Sequence, residues 1–125
     1  MIVIDASALL VLLLKEPGHE NVAAKLAHSM ISAVNFSEVL ARLVRHGVFP
    51  DEAHPRIAEL GITIVAFDQE QAVIAASIRE TARAAGLGLA DCCCLALGLS
   101  EQVPVLTADR AWKSLGLAVP IELVR

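Results

Sequence analysis

Four acidic residues, Asp5, Glu38, Asp91 and Asp109, stand at the edges of strongly apolar segments. Asp5 follows Met1-Ile2-Val3-Ile4, Glu38 opens Glu38-Val39-Leu40-Ala41, Asp91 precedes the run from Cys92 to Leu99, and Asp109 follows the stretch from Val103 to Ala108. If these segments pack as one core, the carboxylates gather at one rim, where a divalent cation relieves their mutual repulsion. A carboxylate cluster without a neighbouring His or Cys selects a hard, oxygen-preferring ion, Mg²⁺ or Mn²⁺, rather than zinc. Mg²⁺ keeps several waters and takes substrate phosphate oxygens into its shell, so the chemistry expected is phosphoryl chemistry. Each acid also has an ordinary reading. Asp5, Asp91 and Asp109 fall where helices begin and could act as caps, and Glu38 could be a solvated helix residue. Caps explain the positions one at a time, whereas a metal site explains all four.

The elements that must position these acids alternate along the chain. Short apolar or β-branched runs predict strands at Ile2 to Ile4, Met30 to Ala33, Ile62 to Phe67, Val103 to Leu106 and Ile121 to Val124. Between them, helical spacing and Gly or Pro stops predict helices over Ala6 to Lys15, Asn21 to His28, Asn35 to His46 and Asp51 to Leu60. A long helix capped by Asp68 is expected to run to about Ala85, another to begin at Leu89, and a short one to span Asp109 to Leu115. Such alternation predicts an α/β fold, a three-layer α/β/α sandwich with a mostly parallel central sheet, because parallel strands need crossover helices. No repeat or linker interrupts it, so residues 1–125 are expected to form a single domain. Ligands of such sheets bind beyond the carboxyl ends of the strands. Asp5 and Asp109 are expected there, Asp91 in the first turn of its helix, and Glu38 about one turn into its own.

Composition narrows the partners. A 56% hydrophobic content with only 3% aromatic residues implies a core of Ala, Leu, Val and Ile, with apolar surface left for another chain. The net charge of -4 excludes an overall basic footprint for nucleic acid, so a phosphate-bearing partner needs local positive charge or bound metal. Cys92, Cys93 and Cys94 are consecutive in an expected helix, where neighbours point about 100° apart and cannot converge on one ion. They read as small apolar residues of a reducing compartment, with a redox-sensitive thiol as the minor alternative. The apolar run Ala8 to Leu14 is far shorter than the roughly 20 residues that span a bilayer. It lacks a basic flank upstream, so a cytoplasmic protein without membrane association is expected.

Four blocks carry a family resemblance across the whole chain: Ile2-Val3-Ile4-Asp5-Ala6-Ser7, Ile31-Ser32-Ala33-Val34-Asn35-Phe36-Ser37-Glu38, Leu87-Gly88-Leu89-Ala90-Asp91, and Leu106-Thr107-Ala108-Asp109-Arg110-Ala111-Trp112. In order and spacing they resemble the PIN-domain ribonucleases, and within these the VapC-type toxins of bacterial toxin-antitoxin pairs. The resemblance implies that Asp5, Glu38, Asp91 and Asp109 form an acidic quartet for Mg²⁺ or Mn²⁺. Asp5 and Asp91 would be the main metal anchors, Asp109 would act through water or a second ion, and Glu38 would orient water. Ser7, Asn35 and Thr107 match positions that support the carboxylates by hydrogen bonding, with helix capping as the plainer role for Ser7 and Asn35. The implied reaction is endonucleolytic hydrolysis of RNA, water attacking in line and a 3′-hydroxyl leaving. Arg110 is a candidate phosphate contact or an ordinary surface arginine, and Trp112 a candidate base-stacking residue or a buried anchor. The implied partners are a second copy of the chain and a cognate antitoxin, whose peptide would lie across an apolar groove between the Ala6 to Leu14 and Asn35 to Val44 helices. Where similar sequences carry small aliphatic residues, this chain has its cysteine triplet. Two other classes compete: a non-catalytic binding module on the same fold, and a receiver-type signalling domain, which would need adjacent acids after the first strand and a lysine where Asp109 and Arg110 stand.

Overall fold

The computed structural model describes residues 1–125. Strand β1 (Ile2–Ile4) leads into helices α1 (Ala6–Leu13) and α2 (His19–Ala23), and a 3₁₀ turn at Leu26–His28 delivers the chain to β2 (Ser29–Ser32). Helices α3 (Ala33–Val44) and α4 (Pro50–Ala58) precede β3 (Thr63–Val65). Then come α5 (Gln69–Ser77), α6 (Arg79–Ala84) and α7 (Leu89–Glu101), followed by β4 (Val105–Thr107), a 3₁₀ turn at Arg110–Ser114 and β5 (Ile121–Leu123).

All strand pairs are parallel, in the order β3-β2-β1-β4-β5. β1 is central, Val3 lying opposite Met30 on one side and Val105 on the other. Its three residues are all buried, as a strand covered on both faces requires. Side-chain alternation splits the core accordingly. Ile2, Ile4, Ile31 and Leu106 pack with α1 to α4 in one cluster, whereas Val3, Met30 and Val105 pack with α5 to α7 in the other. The expected three-layer sandwich is thus present.

The order of the strands explains where a ligand can sit. From β1 the chain steps outward to β2 and β3 with its helices on one face, then returns past β1 to β4 with its helices on the other. Right-handed crossovers demand that change of face when the direction reverses. The reversal leaves a crevice between the carboxyl ends of β1 and β4, the switch point at which open α/β sheets bind ligands. A receiver-type domain would have the order 2-1-3-4-5, so the strand order excludes that alternative.

Some boundaries differ from expectation for identifiable reasons. The helix expected from Asp68 to Ala85 is two helices that meet at Ile78, whose ψ of 1° departs from helical geometry. No glycine or proline marks the break. Ala75, Ile78 and Ala82, from both pieces, all lie in the cluster packed on α7. The expected Asn21 to His28 helix is likewise shorter and closes in the 3₁₀ turn. Helix α3 starts two residues early, because Ser32 caps it by accepting from the Val34 N–H at 3.2 Å. Helix α7 lies close against the sheet: a Cβ added at Gly98 would come within 2.6 Å of Val105 Cγ2 and 3.1 Å of Val119 Cγ2. No helix is long and apolar enough to cross a membrane.

Candidate active site

Asp5 leaves the end of β1 and is 4% exposed. As the N-cap of α1, its Oδ1 accepts from the Ala8 N–H at 2.8 Å. The same oxygen accepts from Ser7 Oγ at 2.7 Å, and Oδ2 accepts from Thr107 Oγ1 at 2.6 Å across the β1–β4 crevice. Both hydroxyls are therefore committed as donors to Asp5, and each accepts in turn from a backbone N–H, Ser7 from Ala108 at 3.0 Å and Thr107 from Asp109 at 3.0 Å. This ties the segment after β1 to the segment after β4. Ser7 is not a cap: it braces the residue that is.

The other three acids arrive from α3, α7 and the turn after β4. Glu38 is exposed on α3, one turn beyond Asn35, which is 1% exposed. Asn35 Nδ2 donates to Glu38 Oε1 at 2.9 Å and to the Ala90 carbonyl at 3.0 Å, linking Glu38 to the start of α7. Asn35 is thus a strut rather than a cap. Asp91 Oδ2 accepts from the Gly88 N–H at 3.0 Å, and Asp109 Oδ1 from the Ala111 N–H at 3.0 Å. Capping and site geometry coexist, because each aspartate turns one oxygen to its own backbone. Asp91 Oδ1, Asp109 Oδ2 and Glu38 Oε2 receive no protein donor.

All four acids line one cavity of about 550 Å³, together with Ser7, Leu10, Arg42, Arg45 and Trp112. Burial pushes the Asp5 carboxyl up from 3.8 to about 6; its three hydrogen bonds oppose this, and the charge of Asp91 adds to it. Burial also raises Asp91, helped by Asp109 and opposed by the Gly88 N–H and Arg79. A cation in the cavity would reverse these costs. No three acidic, histidine or cysteine side chains converge tightly enough to cage an ion. An open, all-oxygen site suits Mg²⁺, which keeps much of its water and binds through only one or two carboxylates. The cysteines supply no ligand: all three are buried in α7, burial raises each thiol, and Cys94 lies well above 9.0.

The family model for the PIN domain matches residues 2–117. The chain belongs to the PIN domain family. Similar solved structures agree with this fold. A toxin-antitoxin complex from Klebsiella pneumoniae aligns with a TM-score of 0.75 at 18% identity, over 95% of this chain and 95% of that one. FitAcB from Neisseria gonorrhoeae aligns at 0.67 and 25% identity over 98% and 96%, respectively. VapBC2 from Rickettsia felis, bound to a DNA fragment from their promoter, aligns at 0.71 and 15% identity over 98% of each chain. No curated protein matches the sequence at a significant level.

Within this PIN domain, Arg110 and Trp112 take the plainer of the two roles expected for each. Arg110 does not line the cavity: its Nη1 donates to the Arg125 carbonyl at 2.9 Å, fastening the chain end to the turn after β4. Trp112 does border the cavity, yet at 1% exposure it has no free face on which a base could stack, and it anchors the second core cluster. Arg42 and Arg45 do reach the cavity and were not among the sequence candidates. The signal was available in their spacing, since Glu38, Ala41, Arg42 and Arg45 follow the i, i+3, i+4, i+7 pattern of one helix face.

Proposed function

We propose that this PIN domain is a divalent-metal-dependent endoribonuclease of the VapC type, the toxin of a toxin-antitoxin pair. The observation that carries the reading is the meeting of four carboxylates from four chain segments in one cavity at the β1–β4 switch point. A scaffold that only bound protein would gain nothing from burying Asp5 beside Asp91 at such electrostatic cost.

Asp5 and Asp91 would be the principal holders of Mg²⁺ or Mn²⁺, with Asp109 contributing through water or to a second ion. A bound cation supplies a Lewis acid for the phosphate oxygens and makes a water nucleophile available near neutral pH. Ser7 and Thr107 keep both oxygens of Asp5 in place and favour its ionised form. Asn35 holds Glu38 so that its free oxygen can accept a proton from the attacking water in line with the departing 3′-oxygen. No histidine stands in the cavity, so proton transfer falls to carboxylates and water.

The assay is cleavage of total cellular RNA by purified protein freed of any partner. Cleavage is expected in Mg²⁺ or Mn²⁺ and abolished by EDTA, by Asp5→Ala and by Asp91→Ala. Activity that survives any of these overturns the mechanism, and tight binding of a small protein without cleavage of any RNA would favour a binding module. An antitoxin partner is supported by the Klebsiella pneumoniae relative, which is itself a toxin-antitoxin complex. We further propose that the chain acts as a cytoplasmic homodimer, which light scattering at micromolar concentration checks.

A further inference from the structure

The chain has ten lysine and arginine residues against a net charge of -4, so the cations without partners decide where a polyanion can bind. Lys25, Arg56 and Arg83 are ion-paired with Glu122, Glu52 and Glu80. Arg79, Arg110, Lys113 and Arg125 donate to the carbonyls of Leu87, Arg125, Ile121 and Pro17. The three that remain are Lys15, Arg42 and Arg45, and two of these line the acidic cavity. Both arginines are exposed. Arg42 stands one helical turn beyond Glu38, a spacing that commonly pairs charges, yet it makes no ion pair with it.

We infer that Arg42 and Arg45 form a phosphate-binding track along α3, which holds the RNA backbone beside the scissile phosphodiester. Placement supports this. From Glu38, Arg42 and Arg45 lie about 6 and 10 Å further along the helix axis, at the 1.5 Å rise per residue of an α-helix. The cavity is therefore acidic at its metal end and cationic along one wall. Guanidinium groups match phosphate oxygens in a two-pronged geometry, and free arginines can do so without first breaking an ion pair. The track also explains how an acidic protein can engage RNA, since local charge replaces a global footprint. The inference rests on the ribonuclease reading above and names the groups that position its substrate.

The test is equilibrium binding of a fluorescent random-sequence single-stranded RNA to the full chain in Ca²⁺, across a range of salt, alongside cleavage kinetics in Mg²⁺. The variants are Arg42→Gln/Arg45→Gln, Arg42→Lys/Arg45→Lys and a Lys113→Gln control. Losing two phosphate contacts from a single strand lowers the slope of log affinity against log salt by about 1.4, which is about 25-fold weaker binding at 0.1 M salt when affinities are equal at 1 M. The glutamine pair is expected to show that loss, with raised KM and little change in kcat; the lysine pair is expected to retain the salt slope and the control to match the native chain. Equal affinity and slope in the glutamine pair and the native chain would overturn the inference and leave the ribonuclease reading intact. If the native chain neither binds nor cleaves RNA, the reading itself fails and the inference with it. RNA binding unchanged in the glutamine pair, with lost affinity for an acidic peptide, would reassign the track to a protein partner.

Discussion

Ionised Asp5 should cost the metal-free protein stability at neutral pH, and Asp5→Asn should recover it. The carboxyl is pushed up to about 6 in the fold, against 3.8 when free, so the folded chain holds the proton more tightly than the unfolded chain does. Asp5 therefore contributes stability that is fully present below pH 3.8 and lost as pH rises through about 6. A difference of about two pH units, at about 1.36 kcal/mol each, makes the loss roughly 3 kcal/mol. An asparagine keeps Oδ1 as acceptor for Ser7 and the Ala8 N–H, and it places an NH₂ where Oδ2 accepted from Thr107, whose hydroxyl can turn to accept. Urea unfolding in EDTA from pH 4 to 8 should show native stability falling by roughly 2.5 kcal/mol, the rest of the loss lying below pH 4. The variant should be nearly flat, with a small residual slope from half-buried Asp91, and more stable than the native chain at pH 7. Excess Mg²⁺ should invert that order. At a thousandfold excess over Kd, the native chain gains about 4.1 kcal/mol and the variant little. A native profile flat over this range, or a variant less stable than the native chain in EDTA at pH 7, would refute the electrostatic account of the site.

Thr107→Val removes the donor to Asp5 Oδ2 and should raise the Asp5 carboxyl further, moving the acid limb of the Mg²⁺-dependent cleavage profile to higher pH. Asn35→Ala frees Glu38 and removes the second donor to the Ala90 carbonyl, which keeps its helical bond; urea unfolding should show a loss of about 0.5–1.5 kcal/mol, with kcat falling more than KM changes. Gly98→Ala drives a methyl into Val105 and should cost about 1–3 kcal/mol, measured by thermal unfolding, with Mg²⁺ affinity weakened because α7 carries Asp91. Arg110→Ala should leave cleavage unchanged, as its guanidinium serves the chain end and not the cavity.

Much of the fold was legible because its signals are local. Apolar triplets such as Ile2-Val3-Ile4 mark strands buried on both faces, and acids just after them fall at the carboxyl edge of a parallel sheet. Local signals also misled. The run from Asp68 to Ala85 has no breaker, so only its packing on α7 reveals the bend at Ile78. For Arg110 the sequence left two roles open, and the structure decides for the surface one, its guanidinium leaving the cavity for Arg125.

Residue types and their order along the chain determined the α/β alternation and the positions of the four acids from which hard-cation chemistry was expected, because each follows from side-chain chemistry and period. Tertiary structure alone decided the strand order, the 2.6 Å bond that spans 102 residues from Asp5 to Thr107, and the turning of Arg110 away from the cavity to the Arg125 carbonyl. Those outcomes depend on which faces pack against which, and burial and charge act through distances in space that chain separation does not encode.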